Sequence, residues 1–201
     1  MKYWLMKSEP LDYSIDDLER DGKERWDGVR NYQVRNMMRD DMSVGDKALF
    51  YHSNAGKDTG VAGEMAIVSH AYPDPTQFDP TLTFSLPQQV SALRKIVKSY
   101  TSKNTKVSLV SLGKNDEKVR VRVNMKNAHP DPKSDPVNPR WLCVDVSFVA
   151  KFPRTVTLAE IKNTKELQQM RLVQKGNRLS VTQITKNEFA KIKKLANGGQ
   201  Y

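Results

Sequence analysis

Apolar residues recur along this chain in short runs, and the spacing within each run predicts an element. Tyr3-Trp4-Leu5-Met6 is continuous and predicts a first strand, closed by Lys7-Ser8-Glu9-Pro10, where Pro10 forces Glu9 out of helical geometry. Ser14 with Asp17 three residues on predicts a capped short helix with Ile15 and Leu18 turned inward, ended by Asp21-Gly22. Asn31 is a good N-cap, and Val34, Met37 and Met38 at i, i+3 and i+4 predict a second short helix. Val44-Gly45-Asp46 is a turn, and Lys47 to Ser53 predicts a strand centred on Phe50-Tyr51-His52. Asn54 to Gly60 is a polar loop. Val61 to Ala71 predicts the next strand, with Met65 and Ile67 on one face. Tyr72 to Pro80 carries Pro73, Pro75 and Pro80 and is expected to hold no regular structure.

Residues 81–129 read as a self-contained insertion within one 201-residue domain. Val90, Leu93, Ile96, Val97 and Tyr100 take helical spacing over Gln88 to Tyr100. Val107 to Leu112 and Lys118 to Met125 flank Gly113-Lys114-Asn115-Asp116 as a hairpin. In its second strand Val119, Val121, Val123 and Met125 alternate with Lys118, Arg120, Arg122 and Asn124, so one face is apolar and the other basic. His129 to Arg140 is a proline-rich linker. Trp141 to Val149 is the clearest strand, with Leu142, Val144, Val146 and Phe148 on one face. Thr157 with Glu160 predicts a capping box and a short helix. Leu179-Ser180-Val181 predicts a strand, and Thr185 with Glu188 caps a last helix through Phe189, Ile192 and Leu195. Short strands with brief helices and no βαβ rhythm predict a small α+β barrel.

Charge sharpens this picture. The net charge is +10, and residues 81–129 hold ten Lys and Arg against Asp116 and Glu117, so +8 of it sits in one segment. Such asymmetry suits a polyanion partner or a solvated basic face. No run of about 18 apolar residues is present to span a membrane, and no apolar stretch follows Lys2 to act as a secretion signal. Cys143 is the only cysteine and sits in an apolar run, which predicts a buried thiol in a reducing compartment, nuclear or cytoplasmic.

A search for catalytic chemistry finds little. Gly22, Gly28, Gly45, Gly56, Gly60 and Gly63 fit no phosphate-cradling pattern. His52, His70 and His129 have no metal-ligand spacing, and one cysteine builds no zinc site. Ser8 beside Glu9 lacks an elbow motif, and Asp74 with Asp79 lie in a proline-rich loop that holds a carboxylate pair poorly. The denser signal is Trp26 to Asn36, which packs two aromatics, two guanidiniums, side-chain amides and a glycine into eleven residues. Backbone N–H groups at the following helix start can hold an anion or a polar ligand edge. The plainer alternative has Trp26 in the core and Arg30 paired with an acid. With Trp4, Tyr32, Phe50, Tyr51, Tyr72, Asn31, Asn36, Gln77 and Ser8, the stretch has the makings of a pocket for one flat polar ring. Most of these aromatics serve a core equally well.

Several motifs in register resemble the EVE domain family: Tyr3 to Pro10, Trp26 to Asn36, Leu49 to Ser53, Ala71 to Asp79, Asp131 to Ser134, Pro139-Arg140-Trp141 and Arg178 to Val181. They cover nearly the whole chain except 81–129. The resemblance implies an α+β, PUA-like mixed β-barrel with flanking short helices, related to the YTH readers of methylated RNA. It also implies a non-enzymatic reader that takes a modified base such as 5-methyl- or 5-hydroxymethylcytosine out of DNA into a pocket. A monomer without cofactor or metal is expected. An RNA reader or an enzyme processing modified nucleic acid is the alternative. By position, the base-binding residues are Lys7, Ser8 and Glu9, then Trp26, Val29, Arg30 and Asn31, then His52 and Ser53, and Tyr72, Asp74 and Gln77, all expected to line one cavity. Lys118, Arg120 and Arg122 are expected to follow the nucleic-acid backbone.

Overall fold

The computed structural model describes residues 1–98, 107–112, 118–123 and 128–199. In chain order the strands and helices are β1 (Tyr3–Ser8), α1 (Ile15–Asp21), β2 (Lys23–Trp26), α2 (Tyr32–Asn36), β3 (Lys47–His52), β4 (Gly60–Ile67), β5 (Tyr72–Pro73), β6 (Thr83–Phe84), α3 (Pro87–Lys98), β7 (Val107–Ser111), β8 (Val119–Val123), β9 (Leu142–Thr157), α4 (Leu158–Asn163), β10 (Val181–Ile184) and α5 (Lys186–Ala196). A π-helical turn, Met37–Asp41, continues α2. The chain divides into two compact units, one of residues 1–23, 40–70 and 145–201, the other of residues 24–39 and 71–144.

The first unit is built on the strand order β10-β1-β3-β4 with the later part of β9 beyond β4. β1 runs parallel to β3, with Lys7 beside Tyr51 and Ser8 beside His52; β4 is antiparallel to β3 and to β9. The parallel pair is pinned at its start by Asp46. This buried carboxylate accepts from the Lys2 and Ser43 backbone N–H groups and from the Trp4 indole at 3.0 Å. Leu5, Leu49, Tyr51, Val61, Phe152, Leu167, Phe189 and Ile192 form its core. α1 and α5 both start on complete capping boxes, Ser14 with Asp17 and Thr185 with Glu188.

The second unit holds a three-stranded antiparallel sheet of order β6-β8-β7. Val119, Val121 and Val123 of β8 face Val90, Leu93 and Ile96 of α3, with Phe78 and Phe84 completing the cluster. Lys118, Arg120 and Arg122 are exposed, as the alternation predicts. Tyr100, the 113–116 turn, Asn124 and Met125 lie outside the described residues. Among the described residues no helix is long and apolar enough to cross a membrane.

The structure corrects several expectations. Lys23–Trp26, where the sequence pattern predicts no element, is a strand with Glu24, Arg25 and Trp26 all buried. The second short helix carries Val34 and Met38 inward, but Met37 stays half-exposed because the π-turn adds a residue to the repeat. β4 starts at Gly60, stops at Ile67 and is buried on both faces. The proline-rich stretch holds a two-residue strand and a 3-10 turn with Pro75 at its start, where a missing N–H costs nothing. β6 adds a third strand to the hairpin. β9 runs sixteen residues; Pro153 is tolerated because the β4 pairing skips from Lys151 to Val156. Thr157 caps α4, but the Glu160 carboxylate turns to Arg154 at 2.7 Å, so the box is half made. The late strand is Val181–Ile184, two residues beyond expectation.

Among the glycines of the first unit, Gly60 has the least room for a side chain. A Cβ there would lie 2.2 Å from the Val156 carbonyl oxygen and 2.7 Å from the Thr157 Cα, both backbone atoms of the paired strand. Gly60→Ala gains about 0.4–1 kcal/mol by restricting the unfolded chain, against an overpacking cost of about 1–3 kcal/mol. Chemical denaturation should show a net loss; a variant as stable as the parent contradicts this packing.

Candidate functional site

The expected site residues assemble as two clusters, one within each unit. In the first unit the parallel pairing of β1 and β3 sets Lys7 and Ser8 beside Tyr51 and His52. The Ser53 N–H then donates to the Ser8 carbonyl at 2.9 Å, so both strand ends turn together. Ser8 Oγ donates to the Tyr13 carbonyl at 2.8 Å, and Glu9 accepts from Asn54 Nδ2 at 2.6 Å. Asn54 turns the chain with a φ of 53°, a conformation asparagine adopts more readily than most residues. The Lys7 ammonium lies 5.9 Å from the Tyr51 ring centroid. Burial pushes the Lys7 pKa down and the Tyr51 pKa up to about 12.

His52 ties this cluster to α1. Its Nε2 accepts from the Ile15 N–H at 3.1 Å, and its ring meets Phe50 edge to face at 5.4 Å. An accepting Nε2 requires the neutral ring with its proton on Nδ1. Burial pushes the pKa down, nearby Asp16 opposes this, and Lys151 adds to it.

The second cluster is organised by Asp74, which has no exposed surface. One carboxylate oxygen accepts from the Thr76 N–H at 2.8 Å and its hydroxyl at 2.6 Å. The other accepts from the Gly28 N–H at 3.0 Å and Arg30 Nη1 at 2.7 Å. Gly28 has a φ of 73°, and a Cβ there would sit 2.8 Å from the His129 ring, so both conformation and space require glycine. Arg30 sends its remaining N–H groups to the Val29 carbonyl, the Thr76 hydroxyl and, twice, the His129 carbonyl. All five of its donors meet protein acceptors, so of the two readings open in the sequence, Arg30 pairs with an acid. Gln77 is equally committed. Its amide donates to the Asp74 and Trp141 carbonyls and accepts from Ser134 and from the Arg140 and Trp141 N–H groups. Asn31 caps α2 by accepting from the Val34 N–H at 3.1 Å.

Trp26, Val29 and Tyr72 are buried beside these groups, each under 9% exposed. Asp27 has its pKa pushed well above the carboxylate range by burial, with the Asp74 charge adding to the effect and Arg25 opposing it. The Cys143 thiol is free and buried as expected, and burial raises its pKa. Thr76, His129, Asp131 and Trp141 complete the network and are not among the site residues expected from the sequence. The available signal was an aromatic and charged residues set among prolines in 129–141. Among the described residues no group of three His, Cys, Asp or Glu is placed to hold a metal ion.

The His52 contact makes a pH prediction. The folded pKa lies below the ordinary value of about 6.5, so folding favours the neutral ring. That stability is present above pH about 6.5 and is lost as pH falls from there through the folded pKa. Gln at this position keeps an acceptor for Ile15 and does not titrate. Denaturation between pH 7.5 and 5 should therefore show the parent losing stability relative to His52→Gln; parallel curves contradict the assignment.

Comparison with known proteins agrees with this fold. The EVE domain model matches residues 2–121 and 100–195. Human thymocyte nuclear protein 1 is 36% identical over 206 residues, 93% of this chain and 70% of that protein. A structure from Pseudomonas putida shares 37% identity with a TM-score of 0.70, covering 96% of this chain and 99% of its own. The crystal structure of human THYN1 protein in complex with 5-methylcytosine containing DNA shares 33% identity with a TM-score of 0.68 over 98% of each chain. The architecture is the α+β, PUA-like arrangement of these relatives, and the chain belongs to the EVE domain family.

Proposed function

We propose that this chain binds nucleic acid and inspects a modified cytosine, 5-methylcytosine foremost, without chemical turnover. The observation that carries this is the likeness to a human relative solved with 5-methylcytosine containing DNA, which extends over 98% of both chains. The site chemistry is consistent with reading. Arg30, Asp74 and Gln77 spend their polar atoms on the chain itself, which suits groups that hold a recognition surface rigid. Each cluster is proposed by itself as a candidate for contacting the nucleic acid: Lys7, Ser8, Glu9, His52 and Ser53 in one unit, and Trp26, Val29, Asn31 and Tyr72 in the other. Arg30, Asp74 and Gln77 position the groups of the second unit.

The exposed Lys118, Arg120 and Arg122 are proposed to meet phosphates. Successive outward residues of a strand lie about 6.6–6.8 Å apart, a spacing suited to tracking a backbone, so affinity and base reading are divided between two surfaces. The nucleus is the proposed place of action, following the names of the relatives.

Binding should be measured against matched duplexes carrying cytosine, 5-methylcytosine or 5-hydroxymethylcytosine at one position, with the corresponding single-stranded DNA and RNA. One methyl group recognised in an apolar pocket is worth about 1–3 kcal/mol, and the methylated duplex should be preferred by that amount. Replacing Lys118, Arg120 and Arg122 with Ala should lower the slope of log K against log salt by up to about 3. Equal affinity for all duplexes, preference for modified RNA, or conversion of the base overturns the reading.

A further inference from the structure

Tyr32 differs from the other aromatic side chains around it. It is 50% exposed, whereas Trp26, Tyr72, Phe78, Phe84 and Trp141 of the same unit are all buried. Its ring rests on Trp141, with centroids 4.8 Å apart and planes tilted by 35°. Two guanidiniums are mounted on it. Arg35, one helical turn along α2, places its guanidinium 4.9 Å from the ring centroid. Arg140 donates from Nη1 to the Tyr32 hydroxyl at 2.7 Å. Arg35 Nη1 reaches the Arg140 carbonyl at 3.3 Å, so the chain segments carrying the two cations are themselves joined.

The charges here are not balanced. Arg140 has Asp131 at 3.6 Å, but that carboxylate also accepts the Trp141 indole N–H at 2.7 Å. Arg35 meets only neutral acceptors, the Asn36 side-chain oxygen and the Arg140 carbonyl, and among the described residues no carboxylate lies within ion-pair distance of it. One N–H on each terminal nitrogen of Arg35, and both on Arg140 Nη2, have no acceptor among the described residues. Arg30, whose guanidinium lies 5.8 Å from the Trp141 ring centroid, has no such donors left.

We propose that Tyr32, Arg35 and Arg140 form a phosphate clamp for the nucleic-acid strand whose base the chain inspects. This rests on the nucleic-acid reading above. Arginine suits the task because its planar fork matches phosphate oxygens. Both forks are already held by the ring, its hydroxyl and neighbouring acceptors, so little side-chain freedom is lost on binding. The contact carries no sequence information and fixes register on the strand.

The test is fluorescence anisotropy with a duplex bearing one 5-methylcytosine and its unmethylated twin, between 50 and 200 mM salt. Each lost phosphate contact removes about 0.7–0.9 from the slope of log K against log salt. Arg35→Ala with Arg140→Ala should lower the slope by about 1.4–1.8, with affinity for the two duplexes falling in parallel. Arg35→Lys with Arg140→Lys should recover part of the slope, since charge remains and the fork is lost. Thermal melting checks folding. Tyr32→Phe, which deletes only the hydroxyl that orients Arg140, supplies a milder second variant and should lower the slope by less than about 1.

A folded double variant with the parent's slope and affinity overturns the clamp, even where methyl preference stands. If the parent shows no methyl preference while the slope still falls, the base reading fails and the clamp holds. Displacement of the duplex by a poly-glutamate peptide of equal charge, as effectively as by DNA, would assign the surface to acidic proteins and also overturn it.

Discussion

A single buried carboxylate holds the second unit's candidate site together. Asp74 has no contact with solvent, yet it joins segments 46 residues apart through Gly28 and 44 apart through Arg30. Removing one partner of such a pair leaves an uncompensated buried charge, at a cost of about 3–5 kcal/mol. That penalty exceeds the worth of any single hydrogen bond in the cluster, about 0.5–1.5 kcal/mol net. The pair is therefore a strong constraint on the 26–31 loop, beyond its contribution to overall stability. Its field also reaches Asp27, whose carboxyl is driven further from ionisation.

Gln77 extends the same logic without charge. Five hydrogen bonds from one amide lock the 3-10 turn to Ser134, Arg140 and Trp141. Because Arg140 and Trp141 are fixed by their backbone, Tyr32 finds a hard surface, and its two arginines are held above it. The first unit relies on strand pairing, with β1 and β3 ending together at Ser8 and His52. The second cluster is thus shaped by buried, spent polar groups, and the first by the pairing of its strands.

What the sequence revealed was local. Both complete capping boxes, the Asn31 cap and the alternation of β8 depend on residues within a few positions of one another. The order of the motifs also exposed the family and hence the fold. β2 was hidden because Lys23-Glu24-Arg25-Trp26 has polar residues at three of four positions, and its strand partner β9 lies far along the chain. The roles of Asp74 and Gln77 were hidden likewise: the residues appeared as candidates for touching a ligand, but their partners lie 44 to 64 positions away. Arg30 read equally well as an anion receiver or half of an ion pair, and only geometry shows all five donors in use.

Asp74 is proposed to preorganise a base-reading surface, and substitution by its uncharged isostere tests this most directly. Asp74→Asn keeps the shape but sets an amide among four donors, freeing Arg30 and the Gly28 turn. The measurement is the ratio of affinities for DNA with and without one 5-methylcytosine, taken on variant protein shown to be folded. This ratio should collapse toward one while salt-dependent binding to either DNA persists. A folded Asp74→Asn protein that discriminates as well as the parent would contradict it.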